Sequence, residues 1–293
     1  MSGHFLEGEL RIVLGDPGLR VTGVLPASGG CIHTAARLVT TRGDVFAKWN
    51  DDCPADLFER EADGLRELRA AGTSLVVPEV LAASAPRGGR PAFIVMEYLS
   101  PKATGAGLDH AALGRGLAAL HRQGADAFGF SVTTYCGPTP QDNTRATSWA
   151  EFYAERRVRA LLRLLERAGL FGSVERRLLE RLSDRLPALL PHEPLPSLIH
   201  GDLWSGNVLH TARGPALVDP ACTYADREME FGITTLFGGF PERFFSAYEE
   251  AWPMPAGWRE RNPVYQLYHL LNHFLIFGGG YGTQALAIVR RYV

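Results

Sequence analysis

His200-Gly201-Asp202-Leu203-Trp204-Ser205-Gly206-Asn207, followed by Ala216-Leu217-Val218-Asp219-Pro220, decides the reading of this chain. An Asp, an Asn five residues on, and a second Asp beyond a short hairpin are the groups that magnesium- and ATP-dependent phosphoryl transfer requires. The first carboxylate can accept a hydroxyl proton, while the amide and the second carboxylate can hold a cation at the phosphates. Val208-Leu209-His210 and Ala216-Leu217-Val218 read as short strands, with Thr211-Ala212-Arg213-Gly214-Pro215 as the turn. That register sets Val208 opposite Val218 and brings Asn207 and Asp219 together at the open end, with oxygen donors suited to a hard cation.

Outward from this motif the chain divides by composition. Residues 10–14, 35–40, 45–49 and 92–98 are short β-branched or aromatic runs punctuated by Gly, Pro and Asp, and they predict strands. One helix is expected over 56–71, closed by Gly72. Beyond about Leu108 the pattern turns helical. Residues 111–123 form one helix, and Ser148 with Glu151 opens another that runs to Ala168. A third over 175–186 is ended by Pro187, and the remaining helical segments are 233–237, 242–251 and 265–277. The expectation is an α+β chain of two lobes: residues 1–99 with an antiparallel sheet and one key helix, residues 100–293 mainly helical, joined near Leu99-Ser100-Pro101.

A phosphotransferase centre needs a lysine for the phosphates and an acid to position it. Lys48 sits inside the apolar strand Val45-Phe46-Ala47-Lys48-Trp49. Glu61 has Leu57, Phe58 and Leu65 as its helical neighbours, so it lies on an apolar face. Either charge would be costly to bury alone, and together they make a pair. Ala27-Ser28-Gly29-Gly30-Cys31 precedes Lys48, and its adjacent glycines can bring backbone N–H groups to phosphate oxygens. At Val95-Met96-Glu97-Tyr98-Leu99 a strand enters the interlobe connection, where the Glu97 carbonyl and Leu99 amide can pair with adenine.

The totals exclude other classes. Thirty Lys and Arg against 32 Asp and Glu leave a formal charge of −2, which offers nothing to nucleic acid or an anionic membrane. Cys31, Cys53, Cys136 and Cys222 show no CxxC pairing, so neither a zinc site nor a disulfide framework is suggested by spacing. No basic region and apolar block opens the chain, and no apolar run approaches the roughly 18 residues of a membrane span. A cytoplasmic protein is expected.

The residues beyond the opening motif resemble one family. Gly29-Gly30-Cys31-Ile32, Val45-Phe46-Ala47-Lys48, Phe58-Glu59-Arg60-Glu61, Phe128-Gly129-Phe130, Pro140-Gln141-Asp142-Asn143 and Trp149-Ala150-Glu151-Phe152-Tyr153 look like the fructosamine (ketosamine) 3-kinases. So do Leu203-Trp204-Ser205-Gly206, Asp226-Arg227-Glu228, Leu236-Phe237-Gly238-Gly239-Phe240, and the closing run from Tyr265 to His273 with Phe277-Gly278-Gly279-Gly280-Tyr281. The similarity covers nearly the whole chain. It implies the protein-kinase-like superfold, shared with aminoglycoside phosphotransferases and choline kinases. The activity it implies is ATP-dependent phosphorylation of the sugar 3-hydroxyl in a ketoamine, whose 3-phosphate then loses the sugar, a deglycating repair of an amine or lysine.

By position, the resemblance makes Asp202 the catalytic acceptor, Asn207 and Asp219 the Mg2+ ligands, and Lys48 with Glu61 the phosphate-positioning pair. Trp204 becomes a sugar-pocket candidate, with His269 and His273 weaker ones, and Glu230 an anchor for the catalytic loop. Gly201 in place of Arg and Pro220-Ala221 in place of Phe-Gly point away from a regulated protein kinase. Cys31, in the phosphate loop, is a candidate redox thiol, which would allow a monomer or a redox-dependent homodimer. The competing readings are another small-molecule kinase, acting on an aminoglycoside, choline or an amino alcohol, and a nucleotide-binding regulator without catalysis. The sugar, whether fructose-, ribulose- or erythrulose-derived, stays open, as does the amine.

Overall fold

The computed structural model describes residues 3–27, 33–101 and 107–293, which form two compact units. The first comprises Met1–Asp109 with Gly206–Asp219, the second His110–Ser205 with Pro220–Val293.

The first unit is built on helix α1 (Glu7–Val13), strands β1 (Val21–Pro26), β2 (Thr34–Thr40) and β3 (Gly43–Asn50), helix α2 (Leu57–Ala70), and strands β4 (Val80–Ser84) and β5 (Ala92–Glu97). The strands make one antiparallel sheet in the order β1-β2-β3-β5-β4. Side chains alternate faces along a strand. Val45, Ala47 and Trp49 of β3 therefore join Leu6, Leu10, Leu38 and Val95 in one core. Lys48, opposite Ala35 and Ile94, turns the other way.

The strand expected over 10–14 is instead the end of α1. Leu10, Ile12 and Leu14 alternate, but the buried pair is Leu6 and Leu10, four apart as on a helix, whereas Ile12 is 76% exposed. The hairpin Val208–Thr211/Gly214–Leu217 also departs from expectation by one residue. Val208 pairs with Leu217, not Val218. The turn is only Ala212-Arg213, closed by the Thr211 hydroxyl, which donates to the Gly214 carbonyl at 2.8 Å and accepts the Arg213 N–H at 3.2 Å.

The second unit carries α3 (His110–His121), α4 (Trp149–Phe152), a π turn (Tyr153–Val158), α5 (Arg159–Arg167), α6 (Ser173–Leu189), α7 (Glu228–Leu236), α8 (Glu242–Ala251), α9 (Trp258–Phe277) and α10 (Tyr281–Tyr292). Two short antiparallel pairs accompany them, Thr134–Cys136 with Thr139–Gln141 and Ser197–Ile199 with Thr223–Ala225. α3 meets α8 at Gly114, where a Cβ would lie 2.3 Å from the Phe244 carbonyl oxygen, so only glycine permits the approach. Ser148 caps α4 by accepting the Glu151 N–H at 3.4 Å. The helix it opens is interrupted at the π turn, where the buried Arg157 donates to the Asp142 carbonyl at 2.8 Å and to Asn143 Oδ1 at 2.7 Å. Pro187 does not end α6. The missing N–H falls in the last turn, and buried Leu182 and Leu186 hold that turn on the core. Among the described residues no helix is long and apolar enough to cross a membrane.

Candidate active site

In the first unit, Lys48 Nζ lies 2.5 Å from Glu61 Oε1 and 2.8 Å from Asp219 Oδ1. Lys48 is buried by the sheet and α2, and Glu61 is delivered by the apolar face of α2. Burial alone would lower the lysine pKa, but the charges of Asp219 and Glu61 outweigh it and hold the ammonium protonated. Burial raises the Glu61 carboxyl, with Lys48 opposing and the like charge of Asp219 adding to the rise. One cation thus serves two carboxylates, a set with excess negative charge.

Asp219 is the chain's non-glycine residue with positive φ, at 57°, among the described residues. That strain is of a kind associated with functional sites. Its side chain is 46% exposed, so one carboxylate engages Lys48 while staying open to solvent. Asn207 is buried next to it. Its backbone carbonyl accepts the Val218 N–H at 3.1 Å and its side-chain Nδ2 donates to the Asp219 carbonyl at 3.5 Å. A carboxylate and an amide oxygen are donors that fit a hard divalent cation such as Mg2+.

His33 belongs to this neighbourhood as well. Its Nδ1 accepts from Asn50 Nδ2 at 3.0 Å, and burial together with the Lys48 charge lowers its pKa to about 4. The ring is neutral at physiological pH and carries its proton on Nε2. Nothing in the pattern around His33 marks it, because Asn50 and the Lys48 charge are brought to it by the pairing of β2 with β3. Met96 is buried in β5, and Leu99 is buried just beyond it. The Glu97 carboxylate is committed to Arg213 at 2.7 Å. Gly29, Gly30 and Cys31 lie outside the described residues, and with them the phosphate-loop and redox assignments.

In the second unit, the strand Ser197–Ile199 runs into His200-Gly201-Asp202. Glu230, buried on α7, accepts the His200 N–H at 2.6 Å and the Gly201 N–H at 3.0 Å, the anchoring expected of it. Burial would raise its pKa, but His121, His200 and the backbone donors reverse the sign and lower it. Gly201 has φ 81°, and a Cβ there would sit 2.2 Å from the Ala221 carbonyl oxygen, so the bend before Asp202 requires glycine. The Thr234 hydroxyl, shared between the Glu230 carbonyl at 2.8 Å and the Leu203 carbonyl at 3.1 Å, ties the next step to α7. The backbone on both sides of Asp202 is therefore held by α7. Trp204 is 38% exposed. His273 Nδ1 donates to the His269 carbonyl at 2.8 Å, and its ring packs on Phe237, Tyr281 and Phe277. Trp204 is not among those ring partners.

A second polar cluster joins the start of α7 and the residues just before it to α9 and to the segment after α6. Asp226 Oδ2 accepts from His192 Nε2 and from the Tyr265 hydroxyl, both at 2.6 Å, while Glu228 holds Arg261 in a fork at 2.9 and 2.5 Å. The bond to Asp226 raises the His192 pKa, with burial opposing. A histidine whose folded pKa exceeds its unfolded value of 6.5 contributes stability in full below that value and loses it as pH rises through the folded pKa. His192→Ala should therefore cost about 1 kcal/mol near pH 5.5, after allowance for solvent screening, and clearly less near pH 9. Urea unfolding at the two pH values measures this, and an equal loss at both would remove the imidazolium as the stabilising species.

The family described as fructosamine kinase matches residues 14–293. The ketosamine-3-kinase of Mus musculus is 36% identical over 313 residues, covering 97% of this chain and 99% of the mouse protein. The chloroplastic protein-ribulosamine 3-kinase of Arabidopsis thaliana is 35% identical over 277 residues, covering 94% and 83%. A crystal structure from Thermobifida fusca, assigned as a fructosamine-3-kinase, superposes with a TM-score of 0.85 at 33% identity and 97% coverage of both chains. The aminoglycoside phosphotransferase APH(4)-Ia, in a ternary complex with AMP-PNP and hygromycin B, shares the fold, with a TM-score of 0.59 at 18% identity and coverage of 97% and 98%. The fold is kinase-like and α+β.

Proposed function

The chain belongs to the fructosamine kinase family, an enzyme family that phosphorylates sugar hydroxyls, and from that premise we propose that it transfers the γ-phosphoryl group of ATP to the 3-hydroxyl of a ketoamine, releasing the amine from its sugar. The observation that carries this reading is the Lys48 ammonium held at once by Glu61 and Asp219.

Lys48, fixed by Glu61, binds the α- and β-phosphates. Asp219 and Asn207 present the oxygen donors that would hold Mg2+, which when bound neutralises charge on the phosphates. The Glu97 carbonyl and Leu99 N–H pair with adenine beside Met96, and Gly29, Gly30 and Cys31 cover the phosphates. Asp202 accepts the proton of the 3-hydroxyl as its oxygen attacks the γ-phosphorus, and ADP departs. Preorganisation of Asp202 comes from Glu230 and Gly201, which set the backbone before substrate arrives. Trp204 and His273 line the sugar side. The mouse relative is a ketosamine-3-kinase and the Arabidopsis one a protein-ribulosamine 3-kinase, which supports a glycated amine or lysine as acceptor.

The deciding assay is ATP-dependent phosphate transfer to fructosyl-lysine and to ribulosyl-lysine, with Asp202→Ala as control. Transfer to either, lost in the variant, is the expected result. Transfer to choline or an aminoglycoside but to neither ketoamine would overturn the substrate assignment. In the same assay, Asp219→Ala should raise the Kd for magnesium-ATP by tenfold or more, about 1.4 kcal/mol. Unchanged nucleotide affinity at several magnesium concentrations would take Asp219 out of the cation site.

A further inference from the structure

Cys136 has no cysteine partner at a metal-binding spacing, yet the fold supplies it with other ligands. Its Sγ, a ring nitrogen of His269 and a carboxylate oxygen of Asp202 all lie within 4.8 Å of one another in the second unit. Cys136 ends the strand Thr134–Cys136, His269 lies midway along α9, and Asp202 follows the glycine bend. Cys136 and His269 are buried, and Asp202 is half-buried. Asn272, on the next turn of α9, donates to the Cys136 carbonyl at 3.2 Å and ties the strand end to the helix.

His269 is the second, independent observation. Among the described residues neither of its ring nitrogens has a hydrogen-bond partner, although the residue is only 1% exposed. The Asn272 side-chain oxygen is likewise unpartnered. A buried polar group left unsatisfied is destabilising, so native proteins rarely keep one without a partner. An imidazole left without partners beside a thiol and a carboxylate is accounted for by a ligand that takes a nitrogen lone pair.

We propose that Cys136, His269 and Asp202 form a binding site for a zinc-like divalent cation, and that its occupancy switches off phosphoryl transfer. Sulfur and nitrogen donors select a borderline-soft ion over magnesium, which prefers oxygen alone. Tetrahedral zinc holds such ligands about 3.5 Å apart, so atoms that already lie within 4.8 Å of one another have little more than about 1 Å to close. On binding, a Zn–S bond replaces the thiol S–H bond and the proton passes to the buffer. The nitrogen and carboxylate coordinate through lone pairs, and nothing is oxidised or reduced. The fourth position stays on the solvent side, where Asp202 is accessible. The metal then occupies the carboxylate that would accept the hydroxyl proton. The inhibitory half of the proposal rests on the role of Asp202 given above, whereas the binding half does not.

The test begins with the full chain freed of metal by chelator, titrated with zinc against a chromophoric chelator. One equivalent is expected to bind, with affinity at least tenfold weaker in Cys136→Ser and in His269→Gln. Cobalt(II) as the probe should show a thiolate charge-transfer band that Cys136→Ser abolishes. Thermal melts of both variants establish that they are folded, and two different substitutions guard against one that is not. Equal zinc affinity in wild type and both variants overturns the site, since the metal is then held by other side chains. For the switch, each protein's phosphate-transfer rate is compared with and without zinc at saturating magnesium-ATP. Cys136→Ser should need at least tenfold more zinc for half-inhibition. Stoichiometric zinc binding with an unchanged transfer rate overturns the regulatory half. If no ketoamine is phosphorylated, the chelator and cobalt measurements still decide the site.

Discussion

Asp202→Ala is expected to lower kcat by about 10²–10⁴-fold while leaving the Kd for magnesium-ATP within a factor of about two. The split follows from where the residues sit. Lys48, Glu61, Asn207 and Asp219 all belong to the first compact unit, where Lys48 binds both Glu61 and Asp219. On the roles proposed above, removing the Asp202 carboxylate takes away the proton acceptor and the group that orients the hydroxyl, but no phosphate contact. The loop itself should survive. Glu230 holds it through the N–H groups of His200 and Gly201, and Thr234 through the Leu203 carbonyl, none of which the substitution touches. Asp202→Asn sharpens the test, because it preserves shape and removes basicity. Initial rates, nucleotide titration and a thermal melt on the two variants measure the three quantities separately. A kcat near wild type, or nucleotide binding lost in proportion to kcat, would remove Asp202 as the acceptor.

Which parts of this arrangement the sequence reveals depends on whether their cause is local. Lys48 and Glu61 are legible because each places a charge in an apolar pattern of its own element, and a buried charge demands a partner. Strands β2, β3 and β5 and helix α2 are legible for the same reason, since one face of each is uniformly buried. α1 misleads because Leu10, Ile12 and Leu14 satisfy a period of two, and only the fold reveals that Leu6 and Leu10 are the buried pair. The hairpin before Asp219 slips by one residue because Gly214, at φ 123°, completes a two-residue turn that composition alone does not separate from a longer one. The π turn at Tyr153–Val158 has no periodic signature over so short a stretch, and its cause, the burial of Arg157 against Asp142 and Asn143, is tertiary. The Cys136, His269 and Asp202 cluster is the extreme case. Its three members come from a strand end, a helix and a loop, and no spacing rule joins them.

Lys48→Met should destabilise the protein by about 3–5 kcal/mol, because it leaves the buried Glu61 carboxylate without its cation. The effect should not be read as the worth of the ion pair. Desolvating two charges offsets most of their attraction, so replacing both by apolar residues of similar volume is often neutral or stabilising. The double variant Lys48→Met/Glu61→Leu should therefore recover most of the loss. Phe58 and Leu65 already flank Glu61 on α2 as buried neighbours, and a leucine between them would extend that surface. Asp219 does not prevent the recovery, since its side chain is 46% exposed and can be solvated when Lys48 is gone. Denaturant unfolding of wild type, both single variants and the double variant closes a cycle whose coupling energy should exceed about 1 kcal/mol. Additive losses would mean that the two residues do not share one electrostatic balance. Activity should behave differently from stability. The double variant has the fold but no cation for the phosphates, so its kcat/KM for ATP should stay at the level of Lys48→Met. Stability that returns without activity would identify the pair as a feature kept for phosphate binding at the expense of packing. Activity that returns with stability would instead place Lys48 in the core alone, and the phosphate contact would have to come from elsewhere in the unit.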